Sequence, residues 1–528
     1  MKALLARMLP PRPLIVPAAV SGILVTMSFP TASVGVLVFA ALVPLFASVL
    51  RHRPERGDAF RTGFFFGFVC YLTMLWWVAA LIPSADVTIP GLMTPALLLL
   101  VLYLSVYPAL FLFLAAKATR FRMAGFLVMA PGLWVLLEAL RSRGELAFPW
   151  GSLGYALSSS PPLVQGAAVG GLPLLSLLVV LVNVLLAAVV VSRSLRARVA
   201  LGGTAMLILA GMWTAGTGEM ARFDDSDAPR VRTAVVQPNV DLEIKWKPEY
   251  RDSTLRLIER LVRESSALGA GLIVFPETSA PVYMKAERHD SRRYRERLGL
   301  LSAELETPIF IGFLDYRPDG PNGDANIYNA SGVFRVDGVL DTYEKNHLLP
   351  FGEALPGSRR WRWLRKIDFG QANFQQGTPR GPVQTGPAAI TPLICFESVF
   401  PYLCARGVAD GSEMLVNITN DGWFGDTPGP FQHAQMSILR AVEFRRYLVR
   451  SANTGVSMVV SPTGEVRSRI GLFEEGILIE DVAVLSGETF YARHGDIPWL
   501  IACLLLAGLG ALAARFPRSP GAGNQAMM

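Results

Sequence analysis

Three short stretches place reactive side chains where an apolar run ends. "VFPETS" (274–279) sets Glu277 behind a buried-looking strand. "YEKNHLLPFGE" (343–353) sets Lys345 and Glu353 in a loop behind a hairpin. "LICFES" (393–398) sets Cys395 and Glu397 at a strand-to-helix junction. Strand ends are where layered α/β proteins gather their chemistry. A thiol has an ordinary pKa of about 8.5 and reacts as its thiolate. Glu277 can take the thiol proton and later return one to a leaving group. Lys345 can stabilise the thiolate and the oxyanion of a tetrahedral intermediate, with the backbone N–H of Phe396 as a second donor. On this reading Cys395 is a thiolate nucleophile. Blander readings use the same residues. A lone Glu at a strand end is commonly a cap or a surface group, and "YEKNH" also suits a solvated turn. Cys395 and Cys404 are close enough in sequence for a disulfide if their Cα atoms come within about 7 Å in an oxidising compartment.

The elements that must position these groups run from 231 to 485. Strand-like "VRTAVVQPNV" precedes "RDSTLRLIERLVRESSALGA", which carries apolar residues at helical spacing and ends in Gly. Strand "GLIVFPETS", a polar helix around 289–306, strand "PIFIGFLDY" and the hairpin "IYNASGVFRVDGVLDTYEK", turned by Asp-Gly, follow. Strand "AAITPLICFES", a short helix, strand "EMLVNITND", a helix near 432–446 and three more strands complete the region. Helices between buried strands predict a layered α/β domain. No GxGxxG or Walker A loop and no Cys/His metal spacing is present, so no cofactor and no metal are expected.

The rest of the chain is too apolar for a soluble protein. Of 528 residues 52% are hydrophobic and only 17% charged, and the apolar ones gather in 1–217 and 497–514. Runs at about 13–29, 33–50, 61–82, 91–116, 124–140, 163–191, 198–216 and 497–514 read as eight membrane spans, seven before the polar domain and one after. A cleaved signal peptide is the rival reading of the first run, but the start is Pro-rich and a second apolar run follows at once. The basic loops 51–61, 117–122 and 192–198 alternate with poorly charged ones such as 83–90. The positive-inside rule then puts both termini in the cytoplasm and the polar domain outside. The domains are expected at 1–217 (membrane), 218–490 (extracytoplasmic, catalytic) and 491–528 (last span and tail). The net charge of +7 belongs to those loops, and no basic stripe with interleaved aromatics suggests nucleic acid. Glu138, within a span and near Arg141, reads as a snorkelling or ion-paired residue. "FPWGSLGYALS" (148–158) reads as a lipid entrance or an aromatic belt.

The set "FPET", "YEKNHLLPFGE" and "LICFES" resembles the Glu-Lys-Cys triad of the nitrilase superfamily, whose fold is a four-layer α-β-β-α sandwich. Joined to multiple spans, and with "NDGWFGDTPGPFQHAQMSILRAVEFRR" (420–446), it is similar to the apolipoprotein N-acyltransferase family. The resemblance implies Glu277 as general base, Lys345 as electrostatic helper and Cys395 as nucleophile. It implies Glu353 as a carboxylate orienting the Lys and Glu397 as a supporting residue. It also implies Trp246, in "EIKWKP", near a lipid entrance. Phe396 stands where enterobacterial members carry Tyr, so the ring is kept and the hydroxyl lost. The implied reaction is ping-pong. A phospholipid, expected to be phosphatidylethanolamine, acylates Cys395, and the thioester passes to the α-amine of a diacylglyceryl apolipoprotein in the bacterial inner membrane. A membrane-tethered amidase or thioesterase and a non-catalytic scaffold remain the alternatives. The basic and aromatic residues near 355–375 read equally as a gate or as plain surface.

Overall fold

The computed structural model describes residues 9–30, 34–81, 91, 93–318, 326–358, 360–361, 363–364 and 372–515. The loop 83–90, part of 355–375, the N-terminal basic residues Lys2 and Arg7 and most of the basic C-terminal tail lie outside the described residues. Each apolar run of the sequence coincides with helix. These are α1 (Arg12–Met27), α2 (Val43–His52), α3 (Arg56–Leu75), α4 (Met93–Thr119), α5 (Met123–Arg141), α6 (Ala167–Val191), α7 (Leu195–Arg222) and, much later, Ile497–Ala513. Among the described residues, six stretches are long and apolar enough to cross a membrane: Gly35–His52, Arg56–Ala80, Met93–Thr119, Met123–Arg141, Ala167–Val191 and Leu195–Arg222. α1 and Ile497–Ala513 are shorter apolar helices of 16 and 17 residues. Ile497–Ala513 nevertheless packs tightly on α5. A Cβ on Gly132 would sit 2.3 Å from the Cys503 carbonyl oxygen, the small-residue approach that membrane helices use to gain contact where no hydrophobic force drives them together.

Two sheets follow. The first has the order β13-β1-β2-β4-β5-β6, with β3 also on β4. Its strands are β1 (Arg230–Gln237), β2 (Leu272–Val274), β3 (Ala280–Tyr283), β4 (Ile309–Arg317), β5 (Asn326–Phe334), β6 (Leu340–Glu344) and β13 (Gly476–Ala483). The second has the order β12-β11-β10-β9-β8-β7, made of β7 (Val383–Gln384), β8 (Ala389–Ile394), β9 (Met414–Thr419), β10 (Leu448–Ala452), β11 (Ser457–Val460) and β12 (Val466–Ile470). Strand alternation decides what each face meets. Val235, Val274, Phe310 and Val333 of the first sheet pack directly on Ile390, Ile394, Val416 and Val449 of the second. The outer face of the first sheet is covered by α8 (Arg251–Ala267) and α9 (His289–Glu304) through Leu255, Ile258, Leu298 and Leu301. The outer face of the second sheet is covered by α10 (Pro401–Ala409) and α11 (Pro428–Phe444). The result is the four-layer α-β-β-α sandwich.

The fourth layer does not face solvent. Leu393, Leu415, Phe396, Ile438 and Leu439 share one apolar core with Trp77, Trp150, Tyr155 and Leu175 of the membrane half. The 148–158 segment, read from the sequence as a lipid entrance or an aromatic belt, takes part in this core. Trp150 and Tyr155 are buried, and Leu153–Ser159 forms a 3-10 turn beneath the sandwich. Glu138 does not pair with Arg141. It accepts from Trp134 Nε1 at 2.9 Å and Leu153 N at 3.0 Å, while Arg141 donates to Tyr71 and to Ser152 Oγ. Both groups hydrogen-bond to polar neighbours rather than to each other, though the buried Arg141 Nε has no partner among the described residues.

Candidate active site

In the first sheet β1, β2 and β4 run parallel, and in the second so do β8, β9 and β10. Their C-terminal ends meet on one side. Glu277 follows β2, Cys395 follows β8 and Asp421 follows β9. β6 lies antiparallel to β5, which is antiparallel to β4, so Lys345 leaves β6 at the same end.

Cys395 is held with φ +53 at the turn from β8 into the 3-10 segment Cys395–Val399. The left-handed backbone costs an L-residue roughly 1–2 kcal/mol. Such strain persists only where the surroundings over-determine it. Thr278, after Glu277, is also left-handed, with φ +50. Gly312 of β4 makes that turn possible, since a Cβ there would lie 2.6 Å from Thr278 N and 2.7 Å from Glu277 Cα.

The sequence-predicted Glu277, Lys345, Glu353 and Cys395 come together. Lys345 Nζ lies 2.9 Å from the Glu353 carboxylate and 4.0 Å from Glu277 Oε1. Asn329 Nδ2 bridges the two carboxylates, donating to Glu277 Oε1 at 2.7 Å and to Glu353 Oε1 at 2.9 Å. Asn420 N donates to Glu277 Oε2 at 2.9 Å. Burial pushes the Glu277 carboxyl up, and the Glu353 charge adds to this against the pull of Lys345. Burial lowers the Lys345 ammonium, but Glu353, Cys395 and Glu277 outweigh it and hold it charged.

The Cys395 thiol moves the opposite way from the expectation. Burial pushes it up, Glu277 and Asp421 push it further, and Lys345 opposes them only in part. The balance of these influences favours the protonated thiol over the thiolate, because a charge there would stand beside two carboxylates. A partner must therefore take its proton as it reacts. Cys395 and Cys404 are both free thiols, and Cys404 is buried in the apolar core.

Glu397 does not touch the thiol. Its fully buried carboxylate accepts from Tyr343 Oη at 2.9 Å, Asn346 N at 2.6 Å, His347 N at 3.0 Å and Ile394 N at 2.8 Å. It ties the Lys345 loop to the end of β8. Burial raises it to about 7 against the pull of those bonds. Phe396 stacks on Trp150 at 6.3 Å and 15° and meets Phe400 edge-on at 5.1 Å, so its ring packs against the membrane half. Trp246 is 39% exposed.

Sequence reasoning missed several members. Lys245, beside Trp246, is buried and donates to Thr278 Oγ1 at 2.8 Å and the Glu277 carbonyl at 3.2 Å. Burial pulls its ammonium down to about 7. Asp421, His433 and Arg450 surround the back of Cys395. Arg450 Nη2 lies 2.7 Å from Asp421 Oδ2, and His433 Nδ1 lies 3.0 Å from Asp421 Oδ1. The available signal was a charge inside the apolar strand "YLVRSANTG" and a His inside the buried stretch of α11. Buried charges are paired. Cys395, Asp421 and His433 also offer donor atoms within 4.8 Å of one another. They fit a cation poorly, because Arg450 lies against both Asp421 and His433 Nδ1.

Two family descriptions match the chain. The apolipoprotein N-acyltransferase N-terminal domain matches residues 21–185, and the carbon-nitrogen hydrolase family matches 232–489. An apolipoprotein N-acyltransferase of Geobacter metallireducens is 34% identical over 503 residues, 94% of each chain. The chain belongs to the apolipoprotein N-acyltransferase family. The Gloeobacter violaceus member is also 34% identical, over 93% of this chain and 92% of its own. Among solved structures, an amidase of Nesterenkonia sp. AN1 is 19% identical, covering 51% of this chain and 98% of that one with a TM-score of 0.38. As a member of the apolipoprotein N-acyltransferase family, the protein is a multi-pass bacterial membrane enzyme with a nitrilase-type sandwich.

Proposed function

We propose that the protein carries a fatty acyl chain, as a thioester on Cys395, from a membrane phospholipid to the α-amine of the diacylglyceryl-cysteine that begins an apolipoprotein. The supporting observation is the meeting of a thiol, a carboxylate with raised proton affinity and an ammonium at one end of both sheets. Glu277 accepts the thiol proton as sulfur attacks the ester carbonyl. Lys345 and the N–H of Phe396 face the oxyanion. Collapse expels the lysophospholipid alkoxide, which takes the proton from Glu277, and leaves the thioester. The incoming amine then attacks the same carbonyl, Glu277 takes its proton, and the released sulfur regains it. Glu353 and Asn329 fix Lys345 and Glu277, Glu397 fixes the Lys345 loop, and Trp246 meets lipid at the rim.

The proposal includes the topology. α1 to α7 and the late helix Ile497–Ala513 make eight spans, two of them short. Residues 218–490 then face the periplasm and both termini the cytoplasm. Phosphatidylethanolamine is the proposed donor. Incubation with acyl-labelled phosphatidylethanolamine and a diacylglyceryl lipopeptide tests the reaction. N-acylated lipopeptide is the expected product. Labelled free fatty acid without that product would instead indicate a tethered amidase or thioesterase. Undiminished lipoprotein N-acylation in cells whose only copy is Cys395→Ala, with no product from the purified wild type, would indicate a scaffold.

A further inference from the structure

Two consecutive residues of α11 reach in opposite directions. Gln432 is buried against the membrane half. Its Oε1 accepts from Trp77 Nε1 at 3.1 Å and Trp150 Nε1 at 2.8 Å, and its Nε2 donates to the Met74 carbonyl at 3.2 Å. His433, also buried, points at the nucleophile's backbone, with Nε2 3.2 Å from the Cys395 carbonyl oxygen. Ser398 Oγ and Asn417 Nδ2 reach the same oxygen at 3.1 and 3.4 Å. The other ring nitrogen of His433 lies 3.1 Å from Arg450 Nη2 and 3.0 Å from Asp421 Oδ1.

We infer that Gln432 and His433 are positioning residues for the acyl-transfer site, through which the membrane helices set the geometry of the nucleophile. Cys395 sits in a left-handed conformation that does not hold itself. Its carbonyl must be gripped from outside the turn, and among the described residues His433 supplies the one donor there that comes from another layer of the sandwich. Gln432, one residue earlier, fixes that helix turn to the end of α3 and to the 148–158 segment. Trp150 touches both Phe396 and the His433 ring, with centroids 6.3 and 5.9 Å away, so the same tryptophan braces both sides of Cys395. On this view the membrane half is a structural wall of the active site as well as an anchor.

The inference rests on Cys395 being the acylated residue, and the test separates the two. Full-length protein in detergent is mixed with labelled phospholipid, and acyl-enzyme formation is followed by mass spectrometry beside alkylation of Cys395 by iodoacetamide. His433→Leu and the double variant Trp77→Phe/Trp150→Phe, which keeps the rings and removes both indole donors, are compared with wild type. Misplacing a reacting group by about 1 Å costs on the order of 10²-fold in rate. The expected result is a loss of that order in kcat for His433→Leu, a smaller one for the double variant, and an unchanged KM for phospholipid in both. His433→Gln, whose amide nitrogen reaches the place of Nε2, should recover most of the rate. Wild-type kcat in the double variant, or a His433→Gln as slow as His433→Leu at equal thermal stability, would overturn the inference. Absence of any acyl-cysteine in wild type, with alkylation of Cys395 still altered by the variants, would keep the positioning role and remove the proposed reaction.

Discussion

Cys395 has two neighbourhoods built on opposite principles. Toward the first sheet, Lys345 stands between the carboxylates of Glu277 and Glu353, and burial lifts Glu277 toward a range in which it can pick up a proton. Toward the second sheet, Asp421 stands between Arg450 and His433 in a sealed pocket. There burial, which would raise Asp421, is outweighed by Arg450 and His433, and the carboxyl falls to about 2. Burial and Arg450 together pull the His433 imidazole down, against Asp421. Both sides hold buried charge. One is arranged so that a proton can move, and the other so that none does. In the proposed mechanism the first serves as the acid–base and the second holds shape.

That contrast breaks if the wrong side controls the chemistry. Glu277→Gln keeps an acceptor for Asn420 N and removes the base. Acyl-enzyme formation should fall by about 10²–10⁴-fold, with little change in melting temperature. Equal loss of stability would make Glu277 structural. Arg450→Met should do the reverse first. Leaving Asp421 buried without its partner costs about 3–5 kcal/mol, read as a lower melting temperature of the purified protein. An unchanged melting temperature would show that the second cluster is not holding the fold.

The pH dependence sharpens the same point. Asp421 has a folded pKa near 2 against an ordinary 3.8. The unfolded chain therefore binds the proton first, and the stabilisation present above about pH 4 is lost as pH falls toward 2. The shift corresponds to about 2 kcal/mol. The acid-side fall in stability should be steeper in wild type than in Asp421→Asn, and parallel curves would contradict the assignment. The smallest effect is expected at the other cysteine. Cys404→Ala in the apolar core should cost about 1 kcal/mol and leave acyl transfer intact. Loss of activity would reopen the idea that Cys404 acts with Cys395.

The first neighbourhood was legible in the sequence and the second was not. Glu277 and Cys395 each end an apolar strand and Lys345 follows a hairpin, and a reactive group at such a place breaks the local pattern. The alternation of strands and helices pointed to a layered α/β domain, and the resemblance to the nitrilase superfamily implied its four layers. Asp421, His433 and Arg450 are scattered over a loop, a helix and a strand interior, and only packing shows that they meet behind Cys395. Asn329 sits mid-strand in β5, where its bridge between Glu277 and Glu353 leaves no trace in spacing. The surroundings of the Cys395 thiol are hidden from the sequence for a related reason. A lysine nearby suggests a thiolate, but burial and two neighbouring carboxylates are invisible until the chain is folded. The 148–158 segment looked like a membrane belt because its aromatics are amphipathic, yet its Trp150 closes the back of the site.

The central claim is that Cys395 carries the acyl chain. Mass spectrometry of the protein taken directly from membranes tests it on one peptide. A fatty-acyl mass on the peptide bearing Cys395, removed by hydroxylamine and absent from Cys395→Ala, is the predicted result. An unmodified Cys395 in protein that still N-acylates a lipopeptide, both before and after incubation with phospholipid, would contradict it.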